Sequence, residues 1–244
     1  MKNVKRYPLG RFESPNDPRD WKLQNFADSG MEVESQIRTI HHPFRSKSLA
    51  QGNTGHCCGF ADANYLINDP VNTPCTNEDG HRFYYLCKEF DGEPGNEEGS
   101  NIRSAAKVLR SLGRISNYAF ANSFEMIKWW LLNRGPLVVG TYWHDGMFDP
   151  DETNTVYPTG MVNGGHAYIA NGIDETYIYF QNSWGEDWGD NGAFRMLIPD
   201  FIKIFAIGGE ALAAVELENM TTKKINVIEL IINWIISLLK GELK

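Results

Sequence analysis

Apolar spacing changes period at Gly135-Pro136, and that change restricts the folds open to the chain. Before it, Ile102, Ala105, Ala106, Leu109 and Leu112 recur at three- and four-residue intervals, the pattern of an amphipathic helix, which Gly113 stops. Ser123 can cap a second helix through Trp129, Trp130, Leu131 and Leu132, with Glu125 in its first turn. An earlier apolar stretch, residues 57–67, reads as a buried helix ended by the breaker Asn68-Asp69-Pro70, and Phe83-Tyr84-Tyr85-Leu86 as a short one. After the change, residues 137–142 read as a buried strand, and strands recur over 166–171, 177–182, 193–198 and 210–217, with a long polar loop over 145–160. Helices first and strands after fit an α+β protein, a helical lobe followed by an antiparallel, barrel-like lobe.

Chemistry concentrates where a glycine-bearing loop, Gln51-Gly52-Asn53-Thr54-Gly55-His56, enters the first of these helices at Cys57. The free N–H groups and positive dipole end of a helix favour a thiolate, the reactive form of cysteine. Gln51 stands upstream, and a side-chain amide beside a nucleophile can donate to an oxyanion. Cys57 alone would read as a small buried apolar residue, so partners are needed. They appear in Asn163-Gly164-Gly165-His166-Ala167-Tyr168 and in Gln181-Asn182-Ser183-Trp184-Gly185-Glu186-Asp187-Trp188-Gly189. His166 can hold the thiol proton, and Asn182 can fix the tautomer and orientation of its ring. Cys57 comes from the helical half and His166 with Asn182 from the strand half, which places the site in the cleft between lobes.

Gln-x5-Cys, Gly-His-Ala and Asn-Ser-Trp-Gly-x-x-Trp-Gly, in this order, resemble the papain-like cysteine peptidases over roughly residues 46–218. The resemblance implies the two-lobe papain-like fold, with Cys57 as nucleophile, His166 as base and acid, Asn182 as orienter, Gln51 as oxyanion donor and Trp184 as a ring shielding the His–Asn bond. It implies further that the backbone at Gly99 and Ser100 pairs with substrate. Ile102, Val139 and Ala167 match positions lining the pocket for the second residue before the scissile bond, and their apolar character implies a preference for Leu, Val or Phe there. The expected function is a thiol peptidase working through a thioester acyl-enzyme on a peptide or protein. The alternatives are a related amide, isopeptide or peptidoglycan stem-peptide hydrolase, and an inactive peptidase-fold binding module. His56 and Cys58 depart from the family's serine and aromatic at those positions, and Thr54 stands where a disulfide cysteine would. Cys58 reads as a packing residue and His56 as a solvent-facing one.

A net charge of -8 and pI near 5.3 argue against nucleic acid, which needs a clustered basic surface. With Cys57 assigned to chemistry, Cys58, Cys75 and Cys87 do not make a disulfide framework, although Cys75 and Cys87 could pair or, less favourably without a Cys-x-x-Cys, hold zinc. No metal or cofactor is expected; the carboxylates of residues 187–192 have the wrong spacing for calcium and read as a tight turn. The chain divides into an extended arm over 1–45, a catalytic domain over 46–218 and an apolar helix over 219–244. The arm looks too short for the family's helical pro-segment, and Tyr7, Phe12, Trp21 and Phe26 read as anchors pinning it to the surface, with a substrate-blocking role as the less favoured alternative. The start lacks the apolar core of a secretory signal, which implies a cytoplasmic protein, or else one peripheral to a membrane or part of a larger particle. The tail, apolar nearly all round between Ile225 and Leu239, is expected to dock on its own domain or a second copy, or to contact a membrane surface.

Overall fold

The computed structural model describes residues 4–24 and 37–216. Phe26 and the tail helix expected over 222–240 lie outside these residues. From β1 (Ile40–His41) the chain enters three helices, α1 (Cys57–Ile67), α2 (Asn77–Asp91) and α3 (Ile102–Ser111). There follow β2 (Ile115–Ala121), α4 (Phe124–Asn133), β3 (Leu137–His144), β4 (Val162–Ile173), β5 (Tyr177–Gln181), β6 (Ala193–Leu197), α5 (Ile198–Phe205) and β7 (Glu210–Glu216). Among the described residues these make an α+β fold of five helices and one seven-stranded antiparallel sheet.

Every residue of α1 is buried, as suits a helix apolar around most of its circumference. Burial of Phe60, Tyr65, Leu66 and Ile67 contributes about 1.5–3 kcal/mol each. Helix α2 is longer than the four aromatic and aliphatic residues suggested, because Thr76 opens it with a capping box: its Oγ1 accepts from the Asp79 N–H at 3.3 Å while the Asp79 carboxylate accepts from the Thr76 N–H at 2.8 Å. Such a cap is worth about 1 kcal/mol. Asn101 caps α3 through the Ser104 N–H at 3.0 Å, and Ser123 caps α4 through the Met126 N–H at 3.4 Å.

The sheet runs β2-β7-β3-β4-β5-β6, with β1 on the free side of β4. Alternation along β4 divides two cores. Ala167 and Ile169, with Val138 and Leu212 from the neighbouring strands, face α1 and α3; Tyr168 and Ala170 join Trp143, Phe180, Phe194 and Phe201 on the other face. Two hydrogen bonds tie the helices to the strands, from Asn64 Nδ2 to the Asn182 carbonyl at 3.2 Å and from the Tyr65 hydroxyl to the Ala214 carbonyl at 3.3 Å.

The arm departs most from expectation. It does not lie across the outer surface: the Gly10 and Arg11 N–H groups donate to the Gly165 carbonyl at 3.1 and 2.9 Å, the Ser100 N–H to the Gly10 carbonyl at 2.9 Å and the Phe12 N–H to the Ser100 carbonyl at 2.8 Å. It thus bridges the helical lobe and β4. Tyr7 does pack, stacked on Trp184, but Phe12 and Trp21 are 51% and 52% exposed and anchor little. Backbone groups hold this segment, and backbone pairing leaves no periodic side-chain signature in a sequence.

Candidate functional site

Cys57 is the first residue of α1, fully buried, where the opening N–H groups of the helix lack intrahelical acceptors. His166 projects from β4, paired in register with Thr141 on the adjoining strand, so two central strands fix its height. Its Nε2 lies 2.7 Å from Asn182 Oδ1. The same Oδ1 accepts from the Ser183 N–H at 2.7 Å, which identifies it as the amide oxygen and requires His166 Nε2 to carry the proton. In the neutral ring Nδ1 is then the bare nitrogen. Trp184 lies over the imidazole with ring centroids 4.7 Å apart, and Trp143 meets its edge at 5.0 Å.

Burial opposes ionisation of Cys57, but the Cys58 thiol, the His166 imidazole with its charge and the Ala167 N–H together outweigh it and hold the Cys57 thiol well below the usual range. Burial and the neighbouring Cys57 push Cys58 the other way, so the pair ionises at Cys57. The Cys75 and Cys87 thiols are both free, with burial raising the first to about 12 and the second well up.

Gln51 reaches the site through Ser183, whose hydroxyl donates to Gln51 Oε1 at 2.7 Å and so orients the amide. Both Nε2 hydrogens are engaged, one by the Thr54 carbonyl at 2.6 Å and the other by the Pro8 carbonyl of the arm at 3.2 Å. His56, expected at the surface, is buried: its ring stacks on Tyr84 with centroids 3.7 Å apart, Nδ1 lies 2.8 Å from His81 Nδ1, and Nε2 lies 2.6 Å from Glu97 Oε2.

Of the residues expected to meet substrate, Ser100 presents both backbone groups to the cleft, where the arm takes them. Gly99 turns away, its carbonyl accepting from Lys88 Nζ at 2.8 Å and its N–H donating to the Tyr84 hydroxyl at 3.1 Å. The Asp91 carboxylate, bonded to Ser100 Oγ, Asn101 Nδ2 and Ser104 Oγ, stiffens this wall. Ile102 and Ala167 lie in the core on the cleft side of the sheet, whereas Val139 packs into the opposite core. A shift of one residue changes faces on a strand, and Gly140 is the β3 position on the cleft side, opposite Ala167 on β4 and Glu210 on β7.

Sequence reasoning missed Glu210 altogether. The Arg11 side chain crosses Gly140 and Gly165, is itself fully buried, and donates from Nη2 to the Gly208 carbonyl at 2.9 Å and to Glu210 Oε2. The apolar pocket expected at this point thus has a carboxylate at its end. A lone glutamate opening the last strand carries no motif that could have announced it.

The sequence profile of the papain family cysteine proteases matches residues 77–204, just over half of the chain. The chain is 35% identical over 86 residues to a cathepsin B-like cysteine proteinase of Caenorhabditis elegans, covering 34% of this chain and 23% of the relative. It is 32% identical over 183 residues to an uncharacterized peptidase C1-like protein of Acanthamoeba polyphaga mimivirus, covering 69% of this chain and 47% of the relative. Each match spans less than half of the relative's length. Among solved structures, xylellain, a cysteine protease from Xylella fastidiosa, superposes with a TM-score of 0.67 at 17% identity over 89% of this chain and 99% of its own. A procathepsin B from Trypanosoma congolense gives 0.57 at 15% identity over 88% and 84%. The structural likenesses carry the fold and the profile carries the lineage: this chain belongs to the papain family of cysteine proteases.

Proposed function

We propose that the chain is a thiol peptidase in which Cys57, His166, Asn182 and Gln51 carry the reaction. The observation that carries this reading is the His166 ring, bonded to Asn182 through Nε2 so that Nδ1 is the bare nitrogen, beside a Cys57 thiol that the imidazole helps to hold down. The thiol proton passes to Nδ1, and the sulfur attacks the carbonyl carbon of a peptide bond. Negative charge gathers on the carbonyl oxygen, where a Gln51 N–H released by Pro8 and the Cys57 backbone N–H supply donors. As the tetrahedral species collapses, the C–N bond breaks and the imidazolium gives its proton to the departing amine, leaving a thioester. Water, deprotonated by His166, attacks the thioester and releases the acid and the Cys57 thiol.

Trp184 and Trp143 exclude water from the His166–Asn182 contact, which strengthens it and keeps Asn182 from exchanging partners. Peptide or protein is the substrate class, with Ser100 and Gly165 as the backbone partners of an extended chain. Hydrolysis of fluorogenic peptides tests the reading. Cys57→Ala should abolish turnover while far-UV circular dichroism and the melting temperature stay unchanged; retained turnover in that variant would remove Cys57 from the chemistry.

A further inference from the structure

His56 is the residue before the nucleophile and the N-cap of α1, yet its side chain makes no bond to the helix it caps. Its backbone carbonyl opens the helix by accepting the Phe60 N–H at 3.2 Å, while the ring turns away into a buried cluster. That cluster leads to the loop that ends in Ser100. Nε2 lies 2.6 Å from Glu97 Oε2, and the ring stacks on Tyr84 with 10° between the planes. The Tyr84 hydroxyl in turn donates to the Asn96 carbonyl at 2.9 Å and accepts the Gly99 N–H at 3.1 Å. His56 thus reaches residues 96–99 by two routes, one through a carboxylate and one through a tyrosine. The backbones meet as well: a Cβ on Gly55 would stand 3.4 Å from the Glu97 carbonyl oxygen.

The protons suit such a tie in either charge state. A carboxylate only accepts, so His56 Nε2 carries a proton. Nδ1 faces His81 Nδ1 at 2.8 Å, and one proton between the two nitrogens joins them, whichever ring holds it. The other titratable side chains against the ring are Tyr84 and Tyr85, and the Tyr85 hydroxyl donates to Glu97 as well. No covalent bridge shares the work, since all four cysteines are free.

We propose that His56 and Glu97 are positioning residues for the reaction: they hold the start of α1, and with it Cys57, in register with the wall on which Ser100 pairs with a substrate backbone. The inference rests on the peptidase reading of the cleft. The wall places the scissile carbonyl and the helix places the sulfur, so the distance between them depends on whatever joins wall to helix. An error of about 1 Å in such a placement can cost on the order of 100-fold in rate. A substrate too short to meet Ser100 is placed by the nucleophile and the oxyanion donors alone and does not feel the tie.

Two substrates given to the full chain separate this role from a general loosening of the site. One is a capped tetrapeptide anilide that reaches Ser100; the other is the ethyl ester of a capped single amino acid. Glu97→Ala removes a carboxylate whose side chain is 58% exposed, and His56→Phe is the second variant, keeping a ring on Tyr84. Melting temperature is the folding control for both. In either variant kcat for the tetrapeptide should fall on the order of tenfold relative to kcat for the ester, with KM little changed. Glu97→Gln still offers His56 an acceptor and should recover part of the loss. Amide hydrogen exchange over residues 96–100 should quicken about tenfold in Glu97→Ala. Equal loss on the two substrates, or exchange that stays as it was, overturns the proposal. Failure of the peptidase reading looks different: the unmodified chain would turn over neither substrate, while exchange over residues 96–100 would still report whether Glu97 holds the wall.

Discussion

Asn182 Oδ1 accepts two N–H groups at once, from His166 Nε2 at 2.7 Å and from the Ser183 backbone at 2.7 Å. The backbone bond holds the amide, and the amide holds the imidazole. An orienter of this kind sets which ring nitrogen is bare without exchanging a proton itself. Asn182→Ala should therefore lower kcat by roughly one to two orders of magnitude, less than loss of Cys57. Alkylation of Cys57 should continue, because Asn182 is not among the groups that hold the Cys57 thiol down. A variant as inactive as Cys57→Ala would give Asn182 more than an orienting role.

Gln51 is oriented in turn by Ser183 Oγ, which occupies Oε1 and aims Nε2 at the Thr54 carbonyl and the arm. Gln51→Ala removes a donor that acts on the developing oxyanion, and losses of this kind run to about 10²–10³ in kcat. Ser183→Ala leaves the amide in place but free to turn, so a smaller fall in kcat with little change in KM is expected. Steady-state kinetics on one peptide distinguishes the two variants.

Cys58, read from the sequence as a packing residue, is fully buried next to Cys57. Burial works against the Cys57 thiolate, and the Cys58 thiol and the His166 imidazole oppose it. Cys58→Ala should move the pH profile of Cys57 alkylation to higher pH, since the folded-state value rises when a group stabilising the anion is lost. Cys58→Ser restores a donor and should return part of the shift. A profile unchanged in both would leave His166 and the Ala167 N–H as the groups that hold the thiol down.

Sequence patterns held most of the scaffold and part of the cleft. The bounds of α1, the Ser123 cap and five of the sheet strands followed from apolar period and breakers, because these elements bury one face or all of it. The Thr76 and Asp79 capping box was present as residues but stood in a polar stretch that reads as a loop. Strand β2 alternates weakly, with several half-buried positions, and so gave no signal. The exchange of Val139 for Gly140 shows how fine the reading must be, since one residue on β3 moves a side chain from one core to the other. The arm's course and the partnership of Arg11 with Glu210 join residues nearly the whole described chain apart, and no local pattern encodes them.

Burial, then the adjoining His56, holds His81 below the ordinary imidazole value, and a hydrogen bond from His56 lowers Glu97. Burial likewise lowers His42, although its bond to the Leu131 carbonyl opposes this. In all three the folded protein binds its proton less readily than the unfolded chain. Stability is then fully present above the unfolded value and falls as pH drops towards the folded one. For the histidines this loss begins near pH ~6.5, and for Glu97 it begins near ~4.3. The melting temperature should hold steady from about pH 8 to 7 and decline below it. His81→Asn should flatten the upper part of the decline, with His42 keeping a residual slope, and should leave the carboxylate step in place. A melting temperature that stays level between pH 7 and 5 in the unmodified chain would show that neither imidazole is held neutral by the fold.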